Sequence, residues 1–246
     1  MNGAWTTLDV GGKPADIYDP PAGVKPRFGV LHLHGLARQT LRDRPVFTRL
    51  FDELRVACVC PHGQRCWWAD RSCPEFDPTL TPERHILQNV LPFFAQRWEL
   101  HPRSIGLQGI GMGGQGALRI AFKRPDLFPV VAAIAPALDH HELYGRGSPL
   151  DDLYDSKEQC RQDTAILHIH PSHYPPHIFW CVDPEDVDWH RGGDRLHEKL
   201  SALGIPHEAD LVTHAGGHTW DYFERMAERA ERFVAAGLEQ ESRRLL

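Results

Sequence analysis

Gly109-Ile110-Gly111-Met112-Gly113-Gly114-Gln115-Gly116-Ala117-Leu118 follows an apolar, strand-like run from Ser104 to Gln108 and opens a helical pattern that reaches about Arg124. Strand, sharp turn and helix in that order form the setting of the G-x-S-x-G nucleophile elbow, in which a serine hydroxyl is thrust out on a strained turn. Gly109 and Gly113 fit that turn, which needs small residues where helix and strand approach closely. Gly111 stands where the serine would be, and it has no side chain with which to attack. Glycine also relaxes the turn, because left-handed backbone costs it almost nothing.

Other glycine-rich loops fit less well. The Lys-Ser/Thr pair of a phosphate-binding Walker loop is absent. A dinucleotide G-x-G-x-x-G pattern does occur at Gly109–Gly114, but it lies mid-chain and no suitable acidic residue ends the next strand.

A chain of 246 residues is long enough for one α/β domain with a large core. Hydrophobic content of 41% and charged content of 24% are those of an ordinary globular protein, and a net charge of −6 argues against a general nucleic-acid binder. No run of eighteen apolar residues suggests a membrane span, and Met1-Asn2-Gly3-Ala4-Trp5 does not read as a signal peptide. The six cysteines form no C-x-x-C pair, which points to reduced core thiols and a cytoplasmic location.

Short β-branched runs alternate with longer helical patterns, the sign of a mostly parallel, twisted sheet with helices on both faces. Strands are expected at 5–9, 15–19, 28–33, 55–60, 104–109, 130–135, 177–183 and 207–213. Helices are expected at 44–54, 82–98, 112–124, 190–203 and 219–237, with a shorter one at 156–167. The Gly11-Gly12 turn makes the first two strands an antiparallel hairpin at the sheet edge. Residues 138–176 hold no clear strand and read as a cap-like excursion from the single domain.

Four segments surround the elbow in a catalytic pattern. Leu31-His32-Leu33-His34-Gly35-Leu36 ends the third strand, and a backbone N–H at Leu36 would pair with that of Met112 as an oxyanion hole. Phe179-Trp180-Cys181-Val182-Asp183-Pro184-Glu185-Asp186 runs from a strand into an acidic turn. Asp186 is the preferred acid there, with Asp183 and Asp188 as alternatives. Ala215-Gly216-Gly217-His218-Thr219-Trp220 puts a histidine on a flexible turn after the last strand, suited to act as general base. The order of elbow, acid and histidine is that of the α/β-hydrolases. Trp67 and Trp68, on a loop after the fourth strand, suit an aromatic pocket wall or, equally, a core that pins the loop; Trp220 is a third pocket candidate. His168, His170, His173 and His177 invite a metal reading, but they enter a strand at its N-terminal end, where such sheets do not bind ligands, so a polar loop without metal is expected.

The run Gly-Met-Gly-Gly-Gln-Gly-Ala-Leu at 111–118 resembles the Ser-Met-Gly-Gly-x-Gly-Ala-Leu elbow of the esterase D family, which includes the S-formylglutathione hydrolases. The likeness continues at Arg124-Pro125-Asp126-Leu127-Phe128, Ala135-Pro136-Ala137, Gly204-Ile205-Pro206-His207-Glu208 and Gly217-His218-Thr219-Trp220, and spans roughly residues 28–236. The resemblance implies an α/β-hydrolase fold, a carboxylesterase or thioesterase with a Ser-Asp-His triad, a small ester-like or acyl ligand, and no cofactor. The chain matches that pattern at Asp186 and His218 and departs from it at Gly111. Three readings follow: a pocket that binds without turnover, an enzyme in which the Asp186–His218 dyad activates water, or an ordinary esterase with a recent or introduced change. Ser104, Ser148 and Cys66 lack the elbow geometry needed of a displaced nucleophile.

Overall fold

The computed structural model describes residues 2–244. Eight strands form one sheet in the order β1-β2-β4-β3-β5-β6-β7-β8. They are β1 (Ala4–Val10), β2 (Lys13–Asp19), β3 (Phe28–Leu33), β4 (Val56–Pro61), β5 (Ile105–Ile110), β6 (Val130–Ile134), β7 (His177–Cys181) and β8 (Glu208–Asp210). β1 and β2 pair antiparallel, β2 joins β4 antiparallel, and every pairing from β4 to β8 is parallel. This is the α/β-hydrolase architecture expected from the sequence.

The strands alternate inward residues between two cores, as the pleat requires. Val130, Ala132 and Ile134 face one core with α1 (Pro45–Leu54) and α8 (Trp220–Arg244), while Val131 and Ala133 face the other. That second core is covered by α2 (Pro82–His85), a π-helical turn at Ile86–Val90, α3 (Leu91–Trp98), α4 (Met112–Lys123) and α7 (His190–Ala202). Pro45 starts α1, where its missing N–H is no loss, and Arg55 in left-handed backbone ends it.

Segment 138–176 carries α5 (Leu150–Leu153), α6 (Lys157–Gln162) and short 3-10 turns at His140–Leu143 and Ala165–His168. It packs on α4, where Gln115 Oε1 accepts the Ala165 N–H at 3.2 Å. His168 binds Asp163 at 3.0 Å, His177 binds Glu241 at 3.2 Å, and His170 pairs with His173 in an isolated bridge. The six cysteines are buried free thiols, and no described helix is long and apolar enough to cross a membrane.

β3 and β5 are neighbours from which the chain winds outward in opposite directions, so a crevice opens at their carboxyl ends. A buried polar chain runs just beneath. His32 Nδ1 lies 2.9 Å from Gln108 Oε1, and Gln108 Nε2 donates to Glu231 Oε1 of α8 at 2.7 Å. Burial keeps His32 neutral, lowering it to about 3, and raises Glu231 to about 8 against a weaker opposing effect of Gln108. An acid with a raised pKa in the fold binds a proton that the unfolded chain has released. Its burden on stability therefore grows as pH rises from about 4.5 to about 8. Glu231→Gln should remove it: the wild type should lose on the order of 4 kcal/mol relative to the variant between pH 4 and pH 9 in urea unfolding. Parallel pH profiles for the two proteins would show that Glu231 ionises freely.

Candidate active site

Gly111 occupies the turn between β5 and α4 with φ 56° and ψ −116°, a conformation that side chains rarely adopt. The turn is held by backbone alone. Its N–H donates to Ile134 O at 3.0 Å, and its carbonyl accepts from Ala137 at 3.0 Å and Gln115 at 3.1 Å. Glycine is required on either side by contact. A Cβ on Gly109 would lie 2.1 Å from Gly113 O, and one on Gly113 would lie 1.8 Å from Leu33 O.

The structure brings Asp186 and His218 together beside this turn. Asp186 is buried on the loop after β7, and its Oδ2 lies 2.7 Å from His218 Nδ1. The other face of the ring points to the elbow: a Cβ built on Gly111 would lie 3.2 Å from His218 Nε2 and 3.4 Å from Cε1. No other contact within 4 Å surrounds that point, chain neighbours and the helix's own backbone aside. Phe223 supports the imidazole edge-on at 5.0 Å.

Asp183 does a different job. Its fully buried carboxylate accepts the amides of Ala215 at 2.6 Å, Gly217 at 3.0 Å and Glu185 at 2.8 Å, and His214 Nδ1 lies 3.2 Å away. Burial pushes this carboxyl up, but the three amides and His214 outweigh it and hold it at about 2. Asp183 thus ties the acid loop to the histidine loop. Asp188 lines the cavity mouth instead of binding His218.

Met112 follows the turn, and Leu36 lies on the loop after β3. Among the described residues neither backbone N–H finds an acceptor. Met112 is the first residue of α4, where helical N–H groups lack intrahelical partners. The Leu36 loop is braced from below by His34, whose Nδ1 meets Gly35 O at 2.8 Å and whose Nε2 accepts the Gly63 N–H at 2.9 Å. Burial lowers His34 to about 4, so the ring stays neutral and keeps that acceptor.

A cavity of about 490 Å³ opens over the pair. Its walls are mainly apolar, from Leu36, Ile110, Leu143, Trp189, Trp220 and Phe223, with Gln39 and Thr219 adding polar groups. Trp220 is held in this wall: its Nε1 donates to Gln39 Oε1 at 2.5 Å, and the Arg44 guanidinium stacks on it at 3.6 Å. A larger groove of about 630 Å³ beside α1 is lined mostly by charged residues and shares none with this site.

Trp67 and Trp68 require a correction. Both are buried and neither lines the cavity. Trp68 fills a slot between Gly63 and Gly116, at each of which a Cβ would come within 2.5 Å of it, and its Nε1 donates to His34 O at 3.1 Å. Trp67 stacks on His140 at 4.8 Å. They brace the site from behind.

Comparison with known proteins agrees with this architecture. The family model described as "Putative esterase" matches residues 55–233. The chain belongs to this esterase family. No curated protein matches the sequence. Among solved structures, the Staphylococcus aureus fluorophosphonate-binding serine hydrolase F superposes with a TM-score of 0.78 at 16% identity, covering 96% of this chain and 99% of the other. The S-formylglutathione hydrolase of Agrobacterium tumefaciens gives 0.78 at 16% identity, covering 97% and 100%. A ferulic acid esterase gives 0.76 at 16% identity, covering 96% and 100%. At such identities the likeness is one of fold.

Sequence reasoning missed Gln39, Leu143, Trp189 and Phe223 as cavity walls. Phe223 was within reach, three residues after Trp220 on one helical face. Leu143 comes from a distant loop that no local pattern connects to the site. The close approach of Gly113 to Leu33 makes one measurable demand. Gly113→Ala should destabilise the fold by about 3 kcal/mol or more, because two backbones must part. An unchanged urea midpoint would mean that the contact is loose.

Proposed function

We propose that this esterase-family protein retains the pocket of a carboxylic ester or thioester hydrolase and has lost hydrolysis by the acyl-enzyme route. Gly111 takes the place of the nucleophilic serine, Asp186 and His218 are the remaining acid–base pair, and Leu36 and Met112 supply the oxyanion donors. The observation that carries the reading is the single distance of 3.2 Å between His218 Nε2 and the position of a Cβ on Gly111. In a triad the base must reach the nucleophile's oxygen, and that position is where the oxygen's carbon would stand.

The expected ligand is a small ester-like or acyl compound. The apolar cavity of about 490 Å³ would take the acyl or aromatic portion, and the two free amides would meet its carbonyl oxygen. Loss of a triad serine elsewhere lowers kcat by about a millionfold. The buried thiols suit a reducing compartment such as the cytoplasm.

Hydrolysis of p-nitrophenyl acetate by the native protein and its Gly111→Ser variant tests the assignment. The native protein should hydrolyse the ester slowly, without a burst, and the variant should gain about 10³-fold or more. The contact of 3.2 Å is tight for a methylene, but His218 lies on a loop and its side chain is 39% exposed, so a shift of a few tenths of an ångström suffices. A correctly folded variant with no gain would show that Asp186, His218 and the oxyanion donors are out of register.

A further inference from the structure

We infer that the acyl cavity takes a carbonyl compound bearing a carboxylate, and that Arg38 is the residue that selects it. The inference rests on the acyl-binding reading of that cavity and deepens it by naming the charge of the ligand.

The place of Arg38 is the first observation. It stands on the loop after β3, where Leu36 and Ala37 are walls of the acyl cavity. The same two residues wall a second recess of about 480 Å³, completed by Arg38, Gln64, Arg65 and Glu75. The two spaces meet at Leu36, whose amide is the proposed oxyanion donor. A chain that passes over Leu36 from the apolar cavity therefore enters a polar recess with Arg38 in its wall.

Charge is the second. Arg38 Nη1 donates to Gln64 Oε1 at 3.2 Å, and among the described residues no carboxylate pairs with this guanidinium. Arg65, in contrast, is engaged by Glu75 through two hydrogen bonds, one of 3.1 Å from Nε. The surplus positive charge of the recess is thus that of Arg38. A guanidinium offers its N–H groups as a planar fork that matches a carboxylate. A phosphate fits less well, because its second charge would face Glu75. A third recess, of about 300 Å³, also borders Arg38. There Asp16 already engages His62 at 3.0 Å, and Asp43 opposes an anion.

The backbone is the third. Arg38 holds φ 60° in a turn closed by its own N–H on Gly35 O at 3.0 Å. Glycine or asparagine fits that left-handed geometry with less strain than a long side chain. A cation nevertheless stands there, fixed where the recesses meet. An outlier of this kind points to a role beyond folding.

Isothermal titration of the native protein with 3-benzoylpropionate and its two next longer homologues, each against its methyl ester, tests the inference. The phenyl group suits the apolar cavity, the ketone suits the Leu36 amide, and the tether carries the carboxylate toward Arg38. At least one acid should bind about 5-fold or more tighter than its ester, as expected of a partly exposed, charge-assisted pair. That advantage should shrink as salt rises to about 0.5 M. Arg38→Gln should bring acid and ester to equal affinity. Arg38→Lys, a charge without the fork, should restore only part of the difference. A matching phosphonate that binds tighter than the acid overturns the carboxylate assignment in favour of a phosphate. If the ketones bind but no acid exceeds its ester, or the advantage survives Arg38→Gln, Arg38 selects nothing and the acyl cavity stands. If neither acids nor esters bind, the acyl-binding reading falls and takes this inference with it.

Discussion

The passage of α4 across the end of β3 is the constraint on which the site depends. A Cβ at position 113 would meet Leu33 O at 1.8 Å, and one at 109 would meet Gly113 O at 2.1 Å, so both backbones touch with nothing between them. That contact holds the N-terminus of α4 against the loop after β3. It thereby places the Met112 and Leu36 amides on one side of the same crevice. The turn at Gly111 is then fixed by three backbone hydrogen bonds that no side chain supplies. The site's geometry is thus a property of the main chain, which is why it persists when the residue at its centre has no side chain.

This explains how much was legible in the sequence. Glycines at 109 and 113 around a strand–helix junction report a backbone contact, and backbone contacts read clearly because few residues satisfy them. The order of elbow, acid and histidine was equally plain. Distances between the three acidic candidates were not: Asp183, Asp186 and Asp188 differ only in which way the loop after β7 turns. The turn itself is set by Asp183 gathering three amides, a tertiary event without a local signature. The paired tryptophans failed for a related reason. Their left-handed backbone, φ 53° and 52°, turns them inward beneath the loop, and only Gly63 and Gly116, far apart in the chain, make room for the ring of Trp68.

Element ends show the same division. β8 stops at Asp210, short of the expected 213, because the Asp210 carboxylate accepts the amides of Val212 and Thr213 and bends the chain away. α8 continues to Arg244, past the expected end at 237, because Gly237 is a contact glycine, where a Cβ would lie 3.0 Å from Val130. The sequence pattern marks a break there; packing against β6 removes it.

The crevice comes at a cost in stability. An unpaired amide, a half-exposed histidine and an aromatic wall open to solvent each forgo stability that burial or a hydrogen bond would supply. Glycine at 111 works in the other direction, since it relieves the backbone strain that a side chain would impose at φ 56°. A fold drifting toward a purely structural role would gain by filling the cavity and capping the Leu36 and Met112 amides as well. Instead position 111 is free of strain, while the Leu36 and Met112 amides stay unpaired among the described residues beside the Asp186–His218 pair and an open apolar cavity. That uneven pattern supports the proposed non-covalent binding of a carbonyl compound, which needs every one of these groups except the side chain at 111.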